Sequence, residues 1–340
     1  MVEDEPDTSS YPLHAIPPDP EALRHAHLFV KSNHNHKNPK IHIVDPLPNR
    51  VVAFADVHGD LNATLSVLTL LKLIPSPDNP IWIAGNTHAV QTGDIVDRGP
   101  DDLAIYRLLF NLADQAEAAG GALHLLLGNH ELENLCFAKS VDKYHNSDVL
   151  QKYGGQDNRD AAWQASGEVG SRLFQEHVVL RIGPFVFAHA GVLPLYADYG
   201  VKGINEKAKQ DMPLWLKTRA KPSRDEADQD NGFFPLGSQG VLFSREYKKN
   251  KAGCKRLKQT LKKPAFHGVE RMFIGHMPTD SQRVESHCDG HLIRMDTAMS
   301  RWMFDPPADD ISRCSGVEIV KGRVFAIRND GIREEMPLDN

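Results

Sequence analysis

The sequence predicts an α/β fold in which parallel strands alternate with helices. Three observations carry that reading. Apolar, β-prone runs at Val51 to Ala55, Ala89 to Thr92 and Ala122 to Leu127 recur at intervals of a few tens of residues. Helical spacing follows the first two, through Leu61, Leu65 and Leu68 and then through Leu103, Tyr106, Leu108 and Leu109. Each run also ends in a polar, glycine-containing segment, the punctuation expected where a strand passes into a loop at the ligand-binding edge of a parallel sheet.

Taken in order, residues 1 to 48 mix acidic, proline-rich and Asn/His-rich stretches with weak periodicity, and read as an extended arm. The first strand begins near Arg50 and its helix follows Asp60. Pro100 and Asp101 open the second helix, which Gly120 and Gly121 stop. Val178 to Phe187 reads as a hairpin around Gly183 and Pro184. Further strands are expected at Arg271 to Ile274, Leu292 to Asp296, Val317 to Val320 and Arg323 to Ile327, so the second half is β-rich. Residues 197 to 235, charged and helix-prone and then polar, read as an insertion overhanging the active edge. One principal domain over 49 to 330 and a tail over 331 to 340 complete the division.

Composition narrows the function. At 340 residues the chain is long enough to bury a substantial core. A formal net charge of -6 supplies no field for a nucleic-acid backbone, so no nucleic-acid partner is expected and an anionic substrate must be drawn by local positive charge or metal. Cys136, Cys254, Cys288 and Cys314 are scattered, too few for a disulfide framework, and favour a reducing compartment. No apolar run approaches a membrane span, and the acidic start Met1 to Glu5 is unlike a basic targeting segment. A cytoplasmic protein without membrane partners is the expectation.

The chemistry lies in the strand-end segments. Asp56-Val57-His58-Gly59-Asp60, Gly93-Asp94-Ile95-Val96-Asp97-Arg98-Gly99 and Gly128-Asn129-His130-Glu131 are followed by His189 and His276, each closing an apolar run. Carboxylate, amide and imidazole donors in this order suit two divalent cations. Asp56 and His58 suit one ion, Asp94 a bridge, and Asn129, His189 and His276 the second. Manganese, iron and zinc all accept such mixed ligation.

Phosphate monoesters resist hydrolysis strongly enough that an enzyme must lower the barrier by on the order of 20 kcal/mol. Two ions about 3.5 to 4 Å apart do much of this by acidifying a bridging water and neutralising phosphoryl oxygens. The expected reaction is direct attack by the metal-bridging hydroxide. His130 is placed to give the leaving group its proton, with Asp97 holding the imidazole. Arg98 offers a planar fork for phosphate, and Arg245 is the candidate on the other side, with Asn129 also near the phosphate.

Each motif alone is also an ordinary turn, since Asp, Asn and Gly favour turns after strands. Isolated histidines such as His189 and His276 are commonly structural, and Arg245 suits a surface ion pair. The ordered set with matching strand contexts decides for the site. His177, His267, His287 and His291 are read as structural or solvated, and Gly99 and Gly191 as serving backbone geometry.

With these residues the chain resembles the phosphoprotein phosphatase branch of the calcineurin-like metallophosphoesterases, which carries GDxHG, GDxVDRG, GNHE, HGG and GH in this order. The resemblance covers roughly residues 50 to 330. It implies two central mixed β-sheets flanked by helices, an α-β-β-α sandwich, and a phosphorylated protein as substrate. It also implies Asp56, His58 and Asp94 on one metal, Asp94, Asn129, His189 and His276 on the other, and Arg98, His130 and Arg245 on phosphate. Asn134 after the GNHE segment, Gly203 to Glu206 and Arg294 to Ser300 resemble segments of the Shewanella-like phosphatases. Ala55 and Ala190 replace glycines of the family pattern. The LWSDP and SAPNYC segments of eukaryotic serine/threonine phosphatases are absent, so resistance to okadaic-acid-type inhibitors is expected. The rival activity is the ApaH-type hydrolysis of diadenosine polyphosphates, whose enzymes carry GNHD where this chain has Glu131 and do not keep the aspartate at Asp97. A non-catalytic metal-binding scaffold would have no need to keep so costly a cluster of buried polar groups.

Overall fold

The computed structural model describes residues 42–137, 147–218, 234–248, 250–304, 307 and 313–338 of the chain. Its strands, in chain order, are β1 (Ile43–Val44), β2 (Arg50–Phe54), β3 (His88–Gln91), β4 (Ala122–Leu125), β5 (Val179–Ile182), β6 (Phe185–Ala188), β7 (Arg271–Ile274), β8 (Glu285–His287), β9 (Leu292–Arg294), β10 (Ser315–Val320), β11 (Arg323–Arg328) and β12 (Arg333–Glu335). They form two six-stranded sheets, ordered β1-β5-β6-β7-β9-β8 and β12-β11-β10-β2-β3-β4. In the second sheet β2, β3 and β4 run parallel, with Val51 opposite His88 and His88 opposite Ala122. In the first, β6, β7 and β9 run parallel, with Phe185 opposite Arg271 and Met272 opposite Leu292. Both sheets are therefore mixed, and each presents three parallel C-terminal edges.

Strand periodicity explains how the sheets stack. On β2, Val51 and Ala53 point to one face and Val52 and Phe54 to the other, and all are buried. Val51, Ala53 and Ala55 meet Val90, Phe187, Phe273, Ile293, Val317 and Ile319 in a layer drawn from both sheets. Phe273 anchors it, stacked on Phe187 at 4.7 Å and edge-on to Phe185 at 5.7 Å between ring centroids. Val52 and Phe54 instead join the larger cluster contributed by helices. Strands buried on both faces read as continuous apolar runs, which is how the sequence presents them.

Helices α1 (Leu61–Leu70) and α2 (Asp102–Ala118) follow β2 and β3. Asp60 caps α1 by accepting from the Ala63 amide at 3.0 Å. Helix α3 (Asn129–Phe137) starts directly from the loop after β4, and α4 (Ser147–Tyr153), α5 (Gln156–Trp163) and α6 (Gly170–Leu173) follow. Beyond β6 come α7 (Pro194–Ala197), α8 (Gly200–Thr218) and α9 (Asn250–Leu261). No helix among the described residues is long and apolar enough to cross a membrane.

The structure moves three boundaries. Most of the expected arm, 1–41, lies outside the described residues, but β1 pairs with β5 in parallel, Ile43 opposite Arg181, so the sheet reaches into its last residues. The expected C-terminal tail contains β12, which pairs with β11 and is followed by buried Met336. The expected overhanging insertion begins as α8, packed into the body through Val201, Ile204 and Ala208. Asn205 of α8 accepts from the Val178 and Val179 amides at 3.0 and 3.1 Å and donates to the Val179 carbonyl at 2.7 Å. Residues 219–233 of the expected insertion lie outside the described residues.

A disulfide joins Cys254 on α9 to Cys288 in the turn between β8 and β9 across 34 residues, with Cα atoms 5.1 Å apart. This corrects the cysteine reading: the pair is made by tertiary contact, not by close spacing, and the sequence argument for a reducing compartment loses its premise. Cys314 is a buried free thiol, pushed up to about 12 by burial and by the Asp60 carboxylate.

Candidate metal centre

All the sequence-nominated ligands sit at the C-terminal edges of parallel strands, three segments from one sheet and two from the other. Asp56 and His58 follow β2, Asp94 follows β3, Asn129 follows β4, His189 follows β6 and His276 follows β7. The loops that carry them are tightly bent. His58, Asp94, Asp97, Arg98 and His276 have φ of 39°, 57°, 71°, 70° and 67°, a backbone region in which non-glycine residues are uncommon and which clusters at functional sites. The loops also press on one another. A Cβ at Gly99 would lie 2.4 Å from the Gly59 carbonyl oxygen, and one at Gly128 would lie 2.2 Å from Asp94 Oδ1.

The side chains converge as two overlapping groups, His58, Asp94 and His130, and Asp94, His189 and His276, each with its ligand atoms within 4.8 Å of one another. Asp94 Oδ2 is common ground: His58 Nε2 lies 3.8 Å from it, His189 Nε2 3.2 Å and His130 Nε2 3.9 Å. Asp56 Oδ2 is 3.9 Å from His58 Nε2, and the Asp56 carboxylate is held by the His276 amide at 3.1 Å to each oxygen. The second nitrogen of each ligand imidazole is committed to a carbonyl. His58 Nδ1 donates to Val96 at 3.1 Å, His189 Nδ1 to Thr92 at 3.0 Å, and His276 Nε2 to Phe243 at 3.2 Å. Such outer bonds fix the tautomer and leave the other nitrogen's lone pair for a cation.

The donor set itself tests whether cations fit. His189 Nδ1 donates to Thr92, so its Nε2 faces Asp94 Oδ2 at 3.2 Å and Asn129 Oδ1 at 3.0 Å. A cation among these three atoms, or a proton on Nε2, satisfies their close approach. The charges agree. Burial and the carboxylates of Asp296 and Asp94 push Asp56 well above the usual carboxylate range. Burial also opposes ionisation of Asp94, but His189, His130 and His58 outweigh it and hold Asp94 well below that range. Burial and the neighbouring His130 lower His58 to about 3, and burial and His189 lower His276 to about 3, so both imidazoles are neutral at physiological pH. Buried carboxylates beside neutral imidazoles form a donor set that two divalent ions would fit.

His130 differs from these. Burial alone would lower it, but Asp94 and a hydrogen bond to Asp97 raise it to about 9. Its Nδ1 lies 2.6 Å from Asp97 Oδ2. The contact with Asp97 favours the protonated imidazole. Arg98, on the loop between Asp94 and Gly99, is near enough to lower both His58 and His130. Arg245 is exposed and acts on His276 from the segment whose Phe243 carbonyl accepts from that histidine. The sequence reading missed two residues. Glu131 is fully buried and accepts from the amides of Asp94, Ile95 and Gly128 at 2.8, 2.8 and 2.7 Å and from the Tyr106 hydroxyl at 2.9 Å, tying two ligand loops together. Asp296, just beyond β9, is 1% exposed, and its Oδ2 is buried without a hydrogen-bond partner among the described residues. Burial and Asp94 raise Asp296 to about 6, and its place at a third parallel strand end of the first sheet was the available signal.

Two sheets meeting at a buried carboxylate–imidazole centre define a metal-dependent phosphoesterase. The chain belongs to the calcineurin-like phosphoesterase family, which residues 49–280 match. Its relatives include Shewanella-like protein phosphatase 1 of Plasmodium berghei, 29% identical over 262 residues that span 74% of this chain and 67% of that one. Shewanella-like protein phosphatase 2 of Arabidopsis thaliana is 28% identical over 338 residues, 86% and 83% of the two chains. The fold is shared with the cold-active protein-tyrosine phosphatase of a psychrophile Shewanella species, with a TM-score of 0.71 at 22% identity and 88% and 84% coverage. The expected two mixed sheets flanked by helices are thus present in the chain and in the family.

Proposed function

We propose that the chain is a dinuclear metal-dependent phosphoprotein phosphatase that hydrolyses phosphate monoesters of serine, threonine or tyrosine side chains. The observation that carries this reading is the pairing of a buried donor set for two cations with His130, whose Nδ1 lies 2.6 Å from Asp97 Oδ2. The names of the two curated relatives support a phosphoprotein substrate. Asp56, His58 and Asp94 would hold one ion, and Asp94, Asn129, His189 and His276 the other. When bound, two divalent ions supply a nucleophile from water at neutral pH and offset charge on the phosphoryl oxygens.

The chain's own residues do the rest. Arg98 and Arg245 orient the phosphate from two sides, and Asn129 stands beside it. His130 Nε2 protonates the leaving oxygen, while Asp97 keeps the ring oriented and positive. Glu131 holds the Asp94 loop against the Gly128 loop so that the donors stay in register. The test is turnover by purified, manganese-loaded protein on para-nitrophenyl phosphate, phosphotyrosine and phosphoserine/threonine peptides, and diadenosine tetraphosphate. Release of phosphate from the monoesters and peptides with the dinucleotide intact is expected. Preferential cleavage of the dinucleotide would overturn the reading in favour of the rival activity.

A further inference from the structure

Behind His130 runs a chain of hydrogen bonds that leaves the metal ligands and ends on a different helix. Asp97 Oδ2, 2.6 Å from His130 Nδ1, also accepts from Asn134 Nδ2 at 3.0 Å. That same amide nitrogen donates to the His130 carbonyl at 2.8 Å, one turn back along α3. Asn134 Oδ1 accepts from Arg159 Nη2, contributed by α5. Every member is buried: Arg159 and Asn134 at 0% exposure, Asp97 at 1% and His130 at 6%. Arg159 is itself held over the rings of Trp163 and Tyr153, with its guanidinium carbon 5.3 and 5.8 Å from their centroids.

The chemistry of the last member sets the direction of the whole chain. A guanidinium only donates. Arg159 therefore requires the carbonyl end of the Asn134 amide, which turns the NH2 end toward Asp97. The Asp97 oxygen receives that proton and one from His130 Nδ1, so the imidazole is locked with Nδ1 protonated and directed away from the centre. Nε2 is then the nitrogen that faces inward, 3.9 Å from Asp94 Oδ2. We propose that Arg159 is a positioning residue for the general acid, fixing through Asn134 and Asp97 both the orientation of the His130 ring and the nitrogen that delivers the proton. This rests on the reading of His130 as proton donor.

The step it serves balances simply. A water gives one proton to solvent, its oxygen bonds to phosphorus and the ester P–O bond breaks. Its electron pair goes to the leaving oxygen, which takes the proton from His130 Nε2, and the imidazole regains a proton from solvent. A poor leaving group depends on that proton, whereas para-nitrophenolate leaves readily without it. A displaced acid thus slows phenyl phosphate more than para-nitrophenyl phosphate. A structural defect that lowers the fraction of competent enzyme slows both equally.

The experiment compares the manganese-loaded full chain with Arg159→Met, Arg159→Lys, Asn134→Ser and the Arg159→Met/Asn134→Ser double variant. The readouts are kcat on the two esters and bound manganese. For Arg159→Met and Asn134→Ser the ratio of kcat on para-nitrophenyl phosphate to that on phenyl phosphate is expected to rise at least about tenfold, part of the roughly 10²- to 10⁴-fold that a general acid contributes, with metal content retained. Lysine, which also only donates, restores part of the ratio, and the double variant is no worse than the more affected single one, as for members of one chain. If Arg159→Met does not fold, Asn134→Ser carries the same comparison. An unchanged ratio with both rates lowered, or additive losses in the double variant, would overturn the role of Arg159 alone. A wild type that hydrolyses neither ester would instead remove the phosphatase reading and this proposal together.

Discussion

Asp94 concentrates the site's demands on one carboxylate: its Oδ2 lies within 4 Å of three imidazoles, and its Oδ1 accepts from the His130 amide at 3.1 Å. Asp94→Asn keeps the shape and removes the charge that the proposed bridge requires. It should reduce bound metal and lower turnover by more than the roughly 10- to 100-fold that loss of an outer-shell partner causes, measurable by elemental analysis and steady-state kinetics. His130→Asn should retain metal and lose roughly 10²- to 10⁴-fold in rate, most on poor leaving groups. Full activity in either variant would remove that residue from its role. Gly128 admits no side chain because a Cβ would meet Asp94 Oδ1 at 2.2 Å. Gly128→Ala should therefore displace the Asp94 carboxylate and, on the proposed reading, weaken metal binding without replacing any candidate ligand, a loss that equilibrium dialysis with manganese would detect.

At the scale of elements, two cross-links outside the centre hold the strands and helices that present it. Glu318 on β10 ties three strands together, with Arg50 of β2 at 2.7 Å on one oxygen and Arg333 of β12 at 2.9 Å on the other. Burial opposes its ionisation, but these two guanidiniums hold it below its ordinary value of 4.5. A depressed carboxylate contributes stability that is complete above the unfolded-state pKa and is lost as pH falls through the folded one. Glu318→Gln should thus lower stability by about 1 kcal/mol at pH 7, since the pair is partly exposed. Thermal midpoints of variant and wild type should converge as pH falls below the ordinary value of 4.5 and through the lowered folded one. The Cys254–Cys288 bridge closes a 34-residue loop between α9 and the β8–β9 turn. In the chain-entropy account such a loop contributes about 3 to 4 kcal/mol. Cys254→Ser, or reductant on the wild type, should lower the melting temperature, and reductant should have no further effect on the variant.

Across the whole molecule, the two sheets divide the work, one delivering Asp56, His58, Asp94 and Asn129 and the other His189 and His276. The convergence of the candidate ligands was legible in sequence because each ends an apolar strand, a local pattern that carries its own position. The partners were not. Glu131 lies within a recognised motif, yet its hold on the Asp94 loop exists only once β3 and β4 pair. Asp296 shares the strand-end signal, but no neighbouring imidazole or glycine turn distinguished it from a loop aspartate. The disulfide and the packing of α8 against β5 arise from contacts between distant segments, so composition and spacing are silent about both. The central claim is that folding gathers these six side chains around two cations sharing Asp94. Its most direct test is anomalous diffraction from manganese-loaded crystals of the full chain. Two manganese peaks bridged by the Asp94 carboxylate, one beside Asp56 and His58 and the other beside Asn129, His189 and His276, are predicted. A fully loaded, catalytically active crystal with no manganese between the sheet edges would contradict it.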